Sequence, residues 1–390
     1  MDLQQFRTET RAWLAANCPP GARGPGYVPI GSRSIALDSD TRLWLDRMVE
    51  KGWTVPSWPV EYGGAELSKD EYRILIEELH RIEARPPLSG RCVNYIGPTI
   101  LEYGDEDQKA KWLPICARGE GAWAMGYSEP GAGSDLASLS TKAERNGDHW
   151  LINGSKIWTS DAMDCDYIFV LCRTSPSRPK HQGISMLLVD MHQPGVRVSP
   201  ITLISGKSTF CETYFENAIV PIDDVVGGVD NGWTVGKRLL QFERSTHAGI
   251  NTSGSQGGRV EGNNVRELVQ SKVGWSDGPL ADAQLRDRLL AFEMNSAAQR
   301  LTQERAVAES KTKAPGYASS VVKLTNALNI KEGDELVISA LGSEGLNWDD
   351  SASQMASTRN WLTRKQLTIA GGTQEVQLNI IAKRVLGLPD

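Results

Sequence analysis

The segment Gly126–Ala162, GYSEPGAGSDLASLSTKAERNGDHWLINGSKIWTSDA, marks the place where the periodicity of the sequence changes. Before it, apolar residues recur at helical spacing, as in DTRLWLDRMVEKG over Asp40–Gly52. From about Ala122 onward, short runs rich in β-branched and aromatic residues are separated by turn residues, as in DYIFVLCRT from Asp166. The sequence therefore predicts a helical region followed by a β-domain, with a glycine-rich loop at the junction.

The helical period returns after GGVDNG at Gly227–Gly232. Four long amphipathic segments follow, beginning at Trp233, Leu280, Tyr317 and Glu375. Four such segments are enough for a helix bundle. We therefore predict an α+β multidomain protein with a helical domain over residues 1–120, a β-domain over 121–228 and a helical domain over 229–390.

The composition is that of an ordinary soluble globular protein. The chain has 390 residues, of which 40% are hydrophobic and 23% charged, and its mean hydropathy is −0.35. No run approaches the length of a membrane span. The net charge of −6 argues against broad nucleic-acid binding, which usually needs a basic face.

The start of the chain and the cysteines both favour a cytoplasmic location. MDLQQFRTETRAWLAANCPPG carries acidic residues and lacks the apolar core of a signal peptide, so export is not expected. The six cysteines form no C-x-x-C pair or regular spacing. This pattern is typical of buried structural thiols in a reducing compartment, and no metal cluster is predicted.

Three short motifs resemble known catalytic or binding signatures without matching them. SGKST over Ser205–Thr209 lacks the earlier glycine of a phosphate-binding P-loop, because Ile201 stands there. GYSEP lacks the closing glycine of a hydrolase elbow, since Pro130 occupies that position. No G-x-G-x-x-G opens a strand-to-helix turn, so a nicotinamide-binding Rossmann unit is not indicated.

The remaining constellation suits a planar cofactor. The glycines of GYSEPGAGSDLAS and the hydroxyl of Ser134 offer unobstructed donors for a phosphate or a flavin edge. Trp158 and Ser160 stand at alternate positions of a predicted strand, so a stacking face and a hydroxyl share one side. Taken singly, the loop could equally be a tight interdomain turn and the tryptophan a core residue.

Five segments together resemble the flavin-dependent acyl-CoA dehydrogenase family, in family order and across nearly the whole chain. They are GWTVPSWPVEYGGAELS over Gly52–Ser68, the stretch Tyr127–Ala162, NAIVPIDDVVG over Asn217–Gly227, NGWTVGKRLLQFER over Asn231–Arg244, and TIAGGTQEVQLNIIAKRVLGL over Thr368–Leu388. The resemblance implies a helical N-terminal domain, a β-barrel-like middle domain and a C-terminal four-helix bundle. It also implies FAD, held between domains and subunits.

The resemblance assigns cofactor contacts residue by residue. It implies that Met125, Tyr127 and Ser128 border the isoalloxazine, and that Gly133 and Ser134 lie nearer the phosphates and the CoA arm of the substrate. Trp158 would stack on the ring and Ser160 would reach N5. Thr373 and Glu375 are further expected cofactor contacts.

Two positions carry the expected chemistry of α-proton removal from a thioester. The loop with Gly371 and Gly372 occupies the place where a backbone N–H stabilises the carbonyl oxygen as negative charge develops. Many family members also have a glutamate base at the position of Gly371, and this chain does not. The isovaleryl and long-chain branches place the base where this chain has Glu243, which is otherwise a solvated helix glutamate pairing with His247.

Two basic residues are expected to contact the substrate. Arg244 matches a family arginine near the substrate, and Lys383 falls where a basic residue meets the ligand. Both could equally be structural ion-pair partners.

One departure affects the oligomer. Homotetrameric members carry R-x-x-F-G and Q-x-x-G-G segments whose arginine reaches the neighbouring subunit's FAD. Here the aligned stretches have Val273, Ser276 and Ser339 in place of the arginine, phenylalanine and glutamine. We expect either a heterotetramer with a related chain that supplies the arginine, or a homotetramer in which a basic residue such as Lys272 replaces it.

The resemblance thus implies an FAD-dependent acyl-CoA dehydrogenase. It would convert an acyl-CoA to the trans-2-enoyl-CoA and pass electrons to an electron-transferring flavoprotein. Two alternatives remain open, namely a divergent flavin chemistry such as a desulfinase or monooxygenase-like reaction, and a non-catalytic partner subunit of a heteromeric enzyme. The acyl group cannot be inferred from the sequence.

Overall fold

The computed structural model describes residues 2–247, 262–276, 280–310, 318–348 and 355–389. These residues form two compact units. The first comprises residues 2–201 and 209–243, and the second comprises residues 202–208 and the described residues from 244 onward. The domain boundaries after residues 120 and 228 stay a prediction.

The first unit begins with five helices: α1 Leu3–Asn17, α2 Ser39–Glu50, α3 Lys69–Arg81, α4 Gly97–Tyr103 and α5 Glu106–Arg118. Local sequence signals fix the ends of these helices. Capping boxes begin α3, at Ser68 and Glu71, and α5, at Asp105 and Gln108. Gly119 ends α5 in the left-handed conformation that glycine tolerates best.

A π-helical turn, Cys92–Ile96, leads directly into α4. Because a π-turn inserts one extra residue into a helical path, it re-aims the side chains that it carries, and such turns occur frequently at functional sites. Tyr95 lies in this turn and is half-buried.

Eight strands follow: β1 Trp123–Gly126, β2 Lys142–Asn146, β3 His149–Ser160, β4 Tyr167–Arg173, β5 Ile184–Asp190, β6 Val196–Ile201, β7 Phe210–Pro221 and β8 Val225–Val226. They form one sheet in the order β6-β7-β3-β2-β4-β5-β8, with β1 parallel to β4. β3 and β7 form the longest pairing, which two register shifts interrupt. The second shift falls between Ile157 and Thr159, beside the predicted stacking residue.

The helices of the first unit pack against the sheet through aromatic residues. Trp112 of α5 meets Trp123 of β1 and Tyr167 of β4, with ring centroids 5.2 and 5.0 Å apart. This buried cluster continues through Phe169 to Leu239 in the helix α6, Gly232–His247. The helices, the start of β1 and the first part of α6 therefore share one core.

The second unit is helical, with α7 Gly262–Val273, α8 Ala283–Ser310, α9 Ala318–Leu341, α10 Met355–Thr363 and α11 Gln374–Ile380. A second π-turn, Ile381–Val385, continues α11. The fold prediction of helices, then a sheet, then helices is confirmed. Among the described elements, α7 and α10 were missed. The apolar residues of α7, Val265, Leu268, Val269 and Val273, do recur at helical spacing, and Val265 and Val269 are buried against Phe292. The nine residues of α10 are too few to show a repeat.

All six cysteines are buried and free, as the sequence predicted. No helix within the described ranges is both long enough and apolar enough to cross a membrane.

Candidate active site

The end of β1 and the middle of β3 lie side by side in the first unit. The backbone N–H of Ile157 donates to the carbonyl of Ser128 at 2.9 Å, which brings Ser128 next to the register shift in β3. Met125 and Ser128 are half-buried and Tyr127 is buried. The segment that ends at Ser128 therefore lies beside the part of β3 that carries Trp158.

Trp158 is the extra residue of the bulge in β3. Its φ is +60°, in the left-handed region that bulky residues rarely adopt, and its side chain is 52% exposed. The ring of Phe210 supports it edge to face, with centroids 6.1 Å apart. Thr159 is buried, while Ser160 is half-buried. The indole of Trp158 therefore forms an open aromatic platform, and the hydroxyl of Ser160 lies two residues along the strand. Strand alternation alone did not predict the bulge at Trp158.

A buried ion pair anchors the loop after β1. Lys156 is 0% exposed, and its ammonium donates to the carboxylate of Glu129 at 2.7 Å and to the carbonyl of Tyr127 at 3.1 Å. The same carboxylate accepts bonds from the backbone N–H groups of Ser140 and Thr141. Burial opposes ionisation of Glu129, but the charge of Lys156 and these hydrogen bonds outweigh it and lower the pKa of Glu129 to about 2.

The glycine-rich loop itself is exposed. A Cβ at Gly131 or Gly133 would meet no other atom within 4 Å, so the loop borders open space. Ser134 is exposed beside it, and Lys180 fixes the following Asp135 through contacts of 2.9 Å. A loop with open glycines and a fixed end suits the approach of a phosphate or a ring edge.

Glu243 lies near the end of the part of α6 that belongs to the first unit, and it is only 8% exposed. Its charge acts on two phenols: burial first, and then Glu243, raise the pKa of both Tyr95 and Tyr127. The hydroxyl of Tyr127 also donates to the carbonyl of Gly236 in α6, at 3.4 Å. A carboxylate that is only 8% exposed differs from the solvated helix glutamate that was the alternative interpretation.

An ion pair connects the first π-turn to the end of β3. Both terminal nitrogens of Arg91 lie 3.2 Å from one carboxylate oxygen of Asp161. Asp161 follows Ser160 directly and has a left-handed φ of +57°. This contact ties the turn that carries Tyr95 to the strand that carries Trp158.

The Gly371–Gly372 loop in the second unit is held by two side chains. Both glycines are left-handed, with φ of +66° and +97°. The amide of Gln377, which is 0% exposed, donates to the carbonyl of Gly371 at 3.2 Å, and the ammonium of Lys323 donates to the carbonyl of Gly372. The apolar run stops here because both positions adopt a left-handed φ, which glycine tolerates best.

The other predicted residues of the second unit lie around the start of α11 and beyond it. The hydroxyl of Thr373 accepts a bond from the N–H of Val376 and caps α11, and Glu375 is exposed in its first turn. Lys383 is exposed in the second π-turn. The side chain of Arg244 lies outside the described residues.

The region expected to clamp a neighbouring cofactor carries no arginine at the family position. Val273 packs against the apolar core of α7 and α8, and the hydroxyl of Ser339 accepts a 3.3 Å bond from Arg288. Ser276 is exposed. The ammonium of Lys272, the proposed substitute, lies 2.6 Å from the carboxylate of Glu344.

We expect substitution of the two loop glycines to have unequal effects. A Cβ at Gly372 would lie 2.5 Å from the Nε2 of Gln377, whereas a Cβ at Gly371 would meet only the Cε of Lys323, at 3.8 Å. Gly372→Ala should lower the free energy of unfolding more than Gly371→Ala does, because its Cβ must displace the buried amide of Gln377. Both alanines carry the cost of a left-handed residue, about 1–2 kcal/mol, and Gly371→Ala carries little else. Urea unfolding measures both variants, and equal free energies of unfolding would contradict this.

Within the first unit, the structure places Met125, Tyr127, Ser128, Trp158 and Ser160 together, and gives Glu243 a charge interaction with Tyr127. Sequence reasoning missed Tyr95, the Glu129–Lys156 pair, Lys323 and Gln377. A buried ion pair at Lys156 could have been predicted, because strand alternation puts Lys156 on the same buried face as Ile152. A buried lysine needs a carboxylate partner. In the described parts of the chain, no group of three or more His, Cys, Asp or Glu side chains could hold a metal ion.

The chain matches three family models in succession. They are the N-terminal domain of acyl-CoA dehydrogenase over residues 2–120, the middle domain over 124–218 and the C-terminal domain over 230–386. The chain belongs to the acyl-CoA dehydrogenase family and is an oxidoreductase. Members of this family bind FAD.

Individual relatives match over the whole length. The chain is 36% identical to acyl-CoA dehydrogenase IpdE1 of Mycobacterium tuberculosis, covering 100% of this chain and 98% of that protein. Its structure resembles the Tcur3481-Tcur3483 steroid ACAD, with a TM-score of 0.74, 31% identity and coverage of 99% and 97% of the two chains. It also resembles the ChsE4-ChsE5 complex from Mycobacterium tuberculosis, with a TM-score of 0.73, 28% identity and coverage of 100% and 98%.

Proposed function

We propose that this chain dehydrogenates an acyl-CoA thioester to the trans-2-enoyl-CoA, with Glu243 as the general base. The supporting observation is the burial of Glu243, combined with a glycine at position 371, where many other members carry their base. A thioester α-proton is too weakly acidic to leave without a positioned base. The carboxylate takes this proton.

We infer that the first unit holds FAD through the open Trp158 platform. The exposed indole offers a stacking face, Ser160 offers a hydroxyl, and the Gly131–Gly133 segment leaves open space for the cofactor's edge. A flavin held there would supply the acceptor for the hydride that leaves the β-carbon. Met125, Tyr127 and Ser128 are proposed to border the ring, and the exposure of Ser134 beside the open glycines supports a contact with a phosphate or the CoA arm.

Trp158→Ala and Ser160→Ala are each expected to disturb the bound flavin. The first removes a stacking face and the second a hydrogen bond to the redox edge. The measurement is the flavin absorbance spectrum and the flavin retained after gel filtration. Met163→Ala is a suitable control, because Met163 is another exposed apolar residue of the same region. An unchanged spectrum and unchanged retention in both variants would contradict the assignment.

The thioester carbonyl is assigned to the Gly371–Gly372 loop. No N–H of Gly371, Gly372 or Thr373 donates to an acceptor among the residues that the structure describes. Consecutive donors of this kind stabilise the charge that develops on the carbonyl oxygen as the proton leaves. Thr373 and Glu375 remain proposed cofactor contacts, and Arg244 and Lys383 proposed substrate contacts.

Product analysis with acyl-CoA thioesters, from linear to polycyclic, tests the reaction itself. An enoyl-CoA product and reduction of an electron-transferring flavoprotein are expected. A product that has gained oxygen or lost sulfur would support the divergent flavin chemistry instead. A chain that binds no flavin would support the role of a non-catalytic partner subunit.

We further propose that this chain forms a heterotetramer with a related chain. The ChsE4-ChsE5 complex and the Tcur3481-Tcur3483 steroid ACAD are each named for two proteins. Lys272 already pairs with Glu344, so it would have to leave a carboxylate to bind a phosphate. On α8, Leu290, Met294 and Leu301 are exposed at coiled-coil spacing and offer a seam for a helix of the related chain.

Expression of this chain alone tests the heterotetramer. An arginine-to-phosphate bond contributes about 1.5–3 kcal/mol, so its absence should weaken FAD binding by about 10- to 100-fold when only identical chains meet. The measurements are flavin per protomer and mass in solution, with and without a related chain that carries the arginine. A stable homotetramer with one FAD per chain and full activity would rule the heterotetramer out.

A further inference from the structure

Two side chains outside the predicted site, Lys323 of α9 and Gln377 of α11, hold consecutive carbonyls of the Gly371–Gly372 loop. Gln377 donates to the carbonyl of Gly371 at 3.2 Å, and Lys323 donates to the carbonyl of Gly372. All peptide bonds of the described chain are trans. In a trans peptide the N–H points opposite to the C=O. The N–H groups of Gly372 and Thr373 therefore point away from Gln377 and Lys323.

Fixing the carbonyls matters because the loop is intrinsically variable. Glycine populates left- and right-handed conformations almost equally, so two adjacent glycines do not by themselves hold their peptide planes in one orientation. Gln377 is fully buried, and a turn of α11 therefore anchors one plane. Lys323 brings a positive charge to the second carbonyl and polarises that peptide.

We infer that Lys323 and Gln377 are positioning residues that orient the N–H groups of Gly372 and Thr373 toward the thioester oxygen. Neither touches the reacting atoms in this assignment. Lys323 lies on the carbonyl side of the loop, and its Cε is 3.8 Å from where a Cβ of Gly371 would stand. The positive charge of Lys323 polarises the Gly372–Thr373 peptide, and this favours negative charge next to the N–H of Thr373. This inference rests on the proposed dehydrogenation.

The experiment measures removal of the α-proton separately from hydride transfer. An acyl-CoA analogue with sulfur in place of the β-carbon cannot be dehydrogenated, but its α-carbon can still exchange protons with D₂O. Exchange at saturating analogue, followed by mass spectrometry, reports stabilisation of the enolate. Lys323→Met should slow this exchange by about 10- to 100-fold, somewhat less than the 10²- to 10³-fold for losing an oxyanion donor outright. Analogue affinity and bound flavin should stay within about twofold.

Two further variants separate positioning from a general structural role. Lys323→Arg keeps the cation and should recover most of the exchange rate. Lys331→Met removes another lysine from α9, one that contacts Thr368 at 3.4 Å, and should exchange like the wild type. Equal exchange in Lys323→Met and the wild type would overturn the inference. Loss of fold in both Lys323 variants would also overturn it, because the role would then be structural.

The outcomes distinguish this inference from the function on which it rests. If the wild type forms enoyl-CoA and exchanges the α-proton, but Lys323→Met does so equally well, only the positioning role fails. If the flavin-loaded wild type, tested with any related chain it needs, shows neither enoyl product nor exchange, the proposed function fails and the inference fails with it.

Discussion

Glu243→Gln is expected to lower turnover by about 10²- to 10⁴-fold while bound flavin is retained, the usual range for losing a positioned general base. The amide has nearly the shape of the carboxylate but cannot accept the α-proton. Glu243 is 8% exposed and its charge acts on Tyr95 and Tyr127, so the substitution removes a buried charge at one defined place. The measurement is flavin reduction by substrate in a single turnover.

Glu267→Gln provides the matched control. Glu267 is an exposed glutamate of α7, so the same isosteric change should leave flavin reduction unaltered. In Glu243→Gln, α-proton exchange with the non-oxidisable analogue should fall together with turnover. Flavin reduction near the wild-type rate would remove Glu243 from the role of base.

Lys156→Met is expected to destabilise the protein by about 3–5 kcal/mol, because removing one partner leaves the other charge buried and uncompensated. Lys156 is fully buried, and the side chain of its partner Glu129 is 5% exposed. Urea unfolding measures the loss. Lys142→Met is the control, since Lys142 is an exposed lysine on the neighbouring strand β2. The double variant Lys156→Met with Glu129→Gln should recover most of the stability, because no charge is then left unpaired.

The same pair gives a pH dependence. The pKa of Glu129 is lowered from 4.5 to about 2, so the folded state holds the carboxylate ionised more strongly than the unfolded chain does. The resulting stabilisation is complete above about pH 4.5 and is lost as the pH falls toward 2. The stability difference between the wild type and Glu129→Gln should therefore shrink over that interval. A constant difference, or a loss of less than about 1 kcal/mol in Lys156→Met, would contradict the role of the pair.

The order of helices, sheet and helices followed from periodicity, because long amphipathic repeats and short β-branched runs differ in period. The helix α7 could have been predicted in the same way, because Val265, Leu268 and Val269 recur at helical spacing. The helix α10 could not, because nine residues are too few to show a repeat. The bulge at Trp158 could not be predicted either. Strand alternation specifies which side a residue faces, but not where one strand holds an extra residue against its partner.

The site residues that escaped prediction act through three-dimensional contacts. Tyr95 is separated from Glu243 by many residues along the chain, and only in the folded protein does the carboxylate of Glu243 add to burial in raising the pKa of that phenol. Lys323 and Gln377 meet the glycine loop from two different helices. The glycine motif predicts a segment of accessible backbone. It does not predict which side chains fix the conformation of that segment.

The left-handed backbone at Trp158 has a consequence for how the protein can change over time. A bulky residue at φ of +60° costs about 1–3 kcal/mol of backbone strain. In the flavin-free chain this strain brings no functional gain. Glycine or asparagine at this position would relieve the strain and yield a more stable protein with a poorer stacking surface. Selection for stability alone would therefore remove the tryptophan, so its retention in a lineage depends on continued use of the cofactor. A descendant subunit that no longer handled flavin would be free to lose it.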